Sequence, residues 1–82
     1  MNNFYYVYIL IDETTSKHYY VGITQDLSSR LVTHNSGKVS HTSKYKPWRI
    51  ETVTAFSDHK KAINFEKYLK SHSGRSFTKK HL

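Results

Sequence analysis

Cysteine is absent from the 82 residues, proline occurs once and glycine three times. Without cysteine there is neither a disulfide framework nor a thiolate zinc site, so a core this small must hold by packing or by partner contacts. Three scattered glycines do not make a phosphate-cradling loop. Acidic residues are also scarce: Asp and Glu number 6 against 13 Lys and Arg, giving a formal net charge of +7. Such an excess favours polyanionic partners, nucleic acid first, through counterion release and steering, although it also serves solubility. Long apolar runs are missing, none approaching the ~20 residues that span a bilayer. The stretch Met1-Asn2-Asn3-Phe4-Tyr5 has no basic segment of the kind that opens a secretory signal. The expectation is a soluble, cytoplasmic protein with no membrane partner and a single domain over residues 1–82, a length with room for one core.

Within that length, Phe4 to Ile11 is rich in aromatic and β-branched residues and predicts a strand covered on both faces. A polar stretch, Asp12 to Lys17, precedes a second strand over His18 to Thr24, and the pair is close enough to form an antiparallel hairpin. Alternation puts Tyr6, Tyr8 and Leu10 on one face of the first strand, and Tyr20 with Gly22 on one face of the second. A three-residue loop, Glu13-Thr14-Thr15, would set Tyr8 opposite Tyr20. Asp26 has the character of a helix N-cap, Leu27 and Leu31 follow at helical spacing, and Asn35 with Gly37 marks the stop. On that helix Arg30 and His34 are i,i+4 neighbours. Gly37 to Pro47 reads as a basic loop and Trp48 to Phe56 as a third strand. Ser57 or Asp58 caps a second helix running to about Ser71, with Ala62, Ile63, Phe65 and Leu69 as its inward stripe and Glu66 among them. The tail, Arg75 to Leu82, suffices for one short helix. The fold expected is α+β: a small three-stranded antiparallel sheet flanked by helices, in the order ββαβα plus a short C-terminal helix.

Six histidines, at positions 18, 34, 41, 59, 72 and 81, show no HExxH pair and no close ligand spacing, which argues against structural zinc. Tyr8, Tyr20, Arg30, His34 and Glu66 are a different matter, because four separate elements can bring them to one face of the sheet. Phosphodiester cleavage needs an activated nucleophile, stabilisation of charge at phosphorus and protonation of the leaving oxygen. Glu66 offers a hard oxygen ligand for a divalent ion, Arg30 a planar fork for phosphate oxygens, and His34 an imidazole that titrates in range. A tyrosine, with an ordinary pKa near ~10, needs neighbouring positive charge to serve as a base. Each residue also has an ordinary reading: tyrosines pack, Arg30 and His34 meet solvent, and Glu66 pairs with a lysine.

The order Tyr6-Val7-Tyr8, Tyr20-Val21-Gly22, Arg30, His34 and then Glu66 in a helix after a third strand resembles the GIY-YIG nuclease superfamily, from Tyr6 to about Lys70. That superfamily includes the N-terminal incision domain of a bacterial excision-repair subunit, homing endonucleases, some restriction enzymes and structure-specific nucleases. The chain is most similar to small bacterial members, through Gly-Ile-Thr, Asp-Leu, Arg-Leu, His-Asn and Gly between Gly22 and Gly37. Glu66-Lys67-Tyr68-Leu69-Lys70 and Ser73-Gly74-Arg75 also look like those members. The resemblance implies that Tyr8 and Tyr20 are the two signature tyrosines, Arg30 the phosphate-stabilising arginine, His34 a residue found as His or Tyr, and Glu66 the ligand of one Mg²⁺ or Mn²⁺ ion. Tyr20 is the tyrosine assigned to activate the attacking water, with Tyr8 positioning it or sharing the proton, and Gly22 permits close approach of the backbone. Three positions depart from the pattern: Tyr6 replaces the first glycine, Ile23 stands where several repair-type members have lysine, and Lys67 to Leu82 lacks the asparagine that often follows the glutamate.

The function expected is therefore a metal-dependent endonuclease cutting DNA, with RNA left open, in repair or recombination. Lys38, Lys44, Lys46 and Arg75 are the expected backbone contacts, with Tyr45 and Trp48 as stacking surfaces unless Trp48 is core. Two other readings stay open: a nucleic-acid-binding module with little turnover of its own, and a domain delivered to DNA by a larger protein partner.

Overall fold

β1 (Tyr5–Asp12), β2 (Tyr19–Thr24), α1 (Leu27–Asn35), α2 (Ser40–Ser43), β3 (Trp48–Phe56), α3 (His59–Lys70) and α4 (His72–His81) follow one another along the chain. The computed structural model describes residues 3–82. Met1 and Asn2, which begin both the expected domain and the stretch read for a signal, lie outside the described residues. The three strands form one antiparallel sheet in the order β2-β1-β3. This is the α+β architecture expected. Among the described residues no helix is long and apolar enough to cross a membrane.

The central position of β1 explains why its residues are apolar in both phases of the alternation. Val7 and Ile9 pack on one face with Ala62 and Leu69 of α3, joined by Phe65 and by Phe77 of α4. Tyr8 and Leu10 pack on the other with Trp48, Tyr20 and, from α1, Leu27 and Leu31. Helix α1 thus covers one face, and α3 with α4 the other. A register shift between Ile9 and Leu10 leaves Glu51 unpaired in β3, so that Trp48 and Ile50 oppose Asp12 and Leu10 while Val53 opposes Tyr8. Asp26 caps α1 as anticipated, accepting from the Ser29 amide, and of Ser57 and Asp58 it is Asp58 that caps α3, accepting from the amides of Lys60 and Lys61.

The structure departs from the sequence expectations in three places. Tyr8 lies opposite Gly22, not Tyr20, because six residues (13–18) connect the strands instead of three. The cause is the Asp12 side chain, which wraps the turn. One carboxylate oxygen accepts from the Thr15 amide and hydroxyl, both at 2.8 Å, and the other from the amides of His18 at 2.8 Å and Lys17 at 3.1 Å. A two-residue shift preserves the face of every side chain, so Tyr8 and Tyr20 remain on the same side. Secondly, the segment read as a basic loop contains α2. Thirdly, α4 begins at His72, before Gly74, because Ser71 caps it by accepting from the Gly74 amide.

Asp12 is buried. Desolvation alone would raise its pKa, but the hydrogen bonds from His18 and Thr15 and the charge of His18 outweigh it and hold the carboxyl well below the usual carboxylate range. A depressed folded-state pKa contributes stability that is complete above the unfolded value of ~3.9 and drains away as the pH falls below it. Asp12→Ala should therefore lower the melting temperature by several degrees at pH 7, with the gap to wild type narrowing only below about pH 4. A gap that stays constant down to about pH 2 would contradict this account.

Candidate active site

Helix α1 sets the geometry of the site because it is fixed at both ends. Asp26 holds its first turn, Leu27 and Leu31 bind it to the sheet, and Gly37, at φ +83°, turns the chain away after its last residue. Asn35 locks that end to β3: its side-chain amide donates to the Trp48 carbonyl at 3.1 Å, and its oxygen accepts from the Trp48 amide at 2.6 Å. The i,i+4 pair of Arg30 and His34 is thereby aimed at the sheet. Arg30 remains exposed, whereas His34 is fully buried.

The His34 ring lies 4.7 Å from the Tyr20 ring and 6.0 Å from the Tyr8 ring, centroid to centroid, and the two phenol rings are 6.3 Å apart. Nε2 of His34 is 3.1 Å from the Tyr8 hydroxyl, and Nδ1 is 2.9 Å from the Thr42 hydroxyl. Proton positions follow from counting donors. The Val39 carbonyl, 3.3 Å from the Thr42 hydroxyl, can only accept, so we assign the hydroxyl proton to it and the proton of the 2.9 Å contact to Nδ1–H. Nε2 then carries a lone pair that accepts the Tyr8 O–H, and the Arg30 guanidinium is near enough for its charge to act on the phenol. Trp48 fixes Thr42 in turn, its indole N–H donating to the Thr42 carbonyl at 2.8 Å.

Burial pushes the Tyr8 pKa up, and the charges of Tyr20 and Glu66 add to that, against the opposing pull of Arg30. Desolvation and the Arg30 charge push the His34 pKa down. Both shifts favour the neutral forms at neutral pH, a protonated phenol facing an unprotonated imidazole nitrogen. The pair carries no buried charge at rest, and both shifts oppose transfer of the Tyr8 proton to His34.

Four of the five expected residues, Tyr8, Tyr20, Arg30 and His34, come together on the α1 face of the sheet. Glu66 approaches differently, from α3, whose apolar residues pack on the opposite face, yet its carboxylate is near enough for its charge to act on Tyr8. It is paired with Lys70 at 2.7 Å, so the ordinary reading of Glu66 as a lysine partner is also realised. Lys38, Lys44 and Lys46 are exposed on the connection between α1 and β3, and Arg75 is exposed on α4. Trp48 is core, 3% exposed, while Tyr45 stacks on His18 with centroids 3.8 Å apart. Thr42 escaped the sequence reading, its only signal being a small polar residue among Ser, His and Lys. Gly22 has a concrete role: a Cβ there would overlap the Tyr8 ring and hydroxyl, so the phenol lies where a side chain would otherwise stand.

The family model of the GIY-YIG catalytic domain matches residues 4–80. The chain belongs to the GIY-YIG family. Its two signature tripeptides, Tyr6-Val7-Tyr8 and Tyr20-Val21-Gly22, lie on paired strands, with Gly22 directly opposite Tyr8. Relatives include a UPF0213 protein of Lacticaseibacillus paracasei, 36% identical over 67 residues that cover 80% of this chain and 73% of the relative. A UPF0213 protein of Streptococcus pyogenes serotype M5 is 35% identical over 72 residues, covering 87% and 76%. The solution NMR structure of a UPF0213 protein from Bacillus halodurans matches at a TM-score of 0.55 with 32% identity, covering 93% of this chain and 80% of that one.

Gly22→Ala should displace the Tyr8 ring and destabilise the GIY-YIG fold by about 1–3 kcal/mol in a denaturant titration. Wild-type stability in that variant would show that the phenol does not need the space. Thr42→Val should cost about 1–3 kcal/mol, the scale for stranding a buried N–H, with Thr42→Ser restoring most of it. Equal stability of the Val and Ser variants would show that His34 does not depend on the Thr42 hydroxyl.

Proposed function

We propose that this protein is a divalent-metal-dependent endonuclease that hydrolyses phosphodiester bonds in DNA, with RNA left open, in the cytoplasm and in the service of repair or recombination. The observation that supports it most is the Tyr8 hydroxyl, 3.1 Å from Nε2 of the buried His34, with the Arg30 guanidinium near enough for its charge to act on it. In this reading the neutral Tyr8–His34 pair holds Tyr20 and its water in register, and the Arg30 cation offsets the negative charge that develops at the phosphate. Tyr20, half-buried against His34, is the phenol that meets the attacking water, and Tyr8 is hydrogen-bonded to the imidazole. Arg30 is exposed and has N–H groups for the non-bridging oxygens of the phosphate.

Glu66 fits as the ligand of one Mg²⁺ or Mn²⁺. Among the described residues no three His, Cys, Asp or Glu are grouped to cage a metal by themselves, and Mg²⁺ is satisfied by one or two carboxylates with water and substrate oxygens completing its shell. When bound, such an ion polarises the phosphate and lowers the pKa of its water. The Lys70 ammonium, 2.7 Å from the Glu66 carboxylate, favours a second reading. In that reading the carboxylate stays neutralised by lysine, and the protein binds nucleic acid with little turnover until a larger protein partner joins it.

Labelled single-stranded, duplex and branched DNA should be cut with Mg²⁺ or Mn²⁺ and left intact with EDTA. Glu66→Ala and Tyr20→Phe should each reduce the rate by about 100-fold or more, the scale for losing one preorganised contact to developing charge. Wild type that binds but never cuts, or folded variants that cut as fast as wild type, would overturn the nuclease reading in favour of the binding module.

A further inference from the structure

A groove of about 1090 Å³ runs along β2, between the start of that strand and helices α3 and α4. Lys17, Lys70, Arg75 and Lys79 supply its charge, His41 and His72 add imidazoles, and no acidic residue lines it. Among the described residues Lys17, Arg75 and Lys79 pair with no carboxylate, so their charge is available to a ligand. The groove also reaches the candidate active site: Tyr20 lines it, and so does Lys70, the partner of Glu66. On the same wall Tyr19 is 50% exposed, an aromatic ring that no core contact requires.

We propose that this groove holds an unpaired, single-stranded segment of nucleic acid that flanks the scissile phosphate, with Arg75, Lys79 and Lys17 on its phosphates and Tyr19 stacked on a base. The proposal rests on the nuclease reading above and specifies its substrate: a nucleic acid with a single-stranded arm. Three features select this occupant. Unopposed positive charge along a continuous track matches a phosphate backbone. An exposed aromatic ring beside that charge is the combination by which proteins grip unpaired bases, which duplex DNA keeps stacked inside. The volume is also comparable to a large small-molecule pocket, roughly 300–1,000 Å³, which leaves room for a base beside the backbone. The basic residues of the α1 to β3 connection, Lys38, Lys44 and Lys46, do not line the groove, so the track runs toward α4.

The test is fluorescence anisotropy of the full chain with a labelled single-stranded oligonucleotide and with a blunt duplex, in EDTA so that binding is read without cleavage, over a salt series. Arg75→Ala combined with Lys79→Ala should flatten the slope of log K against log salt by about 1.4 for the single strand, two contacts at ~0.7 each. Tyr19→Leu should weaken single-strand binding about tenfold. Lys60→Ala with Lys61→Ala removes the same charge at the far end of α3 and should leave the slope as in wild type. Circular dichroism melts establish that each variant is folded. Wild type that binds the single strand while the folded groove variants bind it equally well overturns the groove assignment and leaves the nuclease reading standing. An equal loss on the blunt duplex overturns the single-strand preference. Wild type that binds neither oligonucleotide but captures poly-glutamate makes the groove a protein-docking surface, and overturns both the groove proposal and the nuclease reading.

Discussion

A hydrogen bond between the Tyr8 hydroxyl and Nε2 of His34, 3.1 Å long and wholly buried, is the contact on which the α1 face of this molecule depends. Through it the central strand is tied to α1. His34 continues the chain to Thr42 on α2, and Thr42 to the indole of Trp48 at the start of β3. Gly22 of β2 leaves the space in which the Tyr8 ring lies. Buried polar groups are costly when stranded and specific when satisfied, so this face has one low-energy arrangement. Among the described residues no buried side-chain nitrogen or oxygen lacks a partner. The Asn35 clamp on Trp48 belongs to the same constraint, since it fixes the end of α1 from which His34 projects.

Backbone elements with strong local chemistry were legible from sequence. All three strands were placed to within a residue at either end, because β-branched and aromatic runs bounded by polar turns have few alternatives. The cap at Asp26 was legible for a similar reason, a side chain satisfying an amide three residues on, and the cap of α3 was narrowed to Ser57 or Asp58. The long turn after β1 was not, because its length depends on four hydrogen bonds to one buried carboxylate, and nothing local distinguishes Asp12 from an ordinary turn aspartate. Helix α2 has no apolar stripe, so periodicity could not reveal it; tertiary bonds to Thr42 hold it in place. At α4, Gly74 suggested a break, and the Ser71 cap overrode it. Within the candidate site the i,i+4 pairing of Arg30 with His34 was readable, but their unequal burial was not, since it depends on how α1 sits on the sheet.

Two separate electrostatic regimes meet at Tyr8. On the α1 side burial favours neutral partners, and Tyr8 and His34 are hydrogen-bonded without a buried charge. The α3 side is ionic, with Glu66 and Lys70 paired at the mouth of a groove that carries unopposed cations. Arg30 links the two: its charge acts on the buried phenol, and it remains exposed. A fold of this size accommodates both because the sheet separates them, the neutral pair lying on one face and the helix that carries the carboxylate packing on the other.

The central claim is that the buried imidazole of His34 is neutral, protonated on Nδ1 and accepting from Tyr8 at Nε2. Long-range ¹H–¹⁵N correlation NMR of the histidine rings across a pH titration tests it most directly. The account predicts the Nδ1–H form of His34 at pH 7, persisting below the ordinary histidine value of ~6.5 before it charges. An Nε2–H tautomer at neutral pH, or an imidazolium still present above that value, would contradict it.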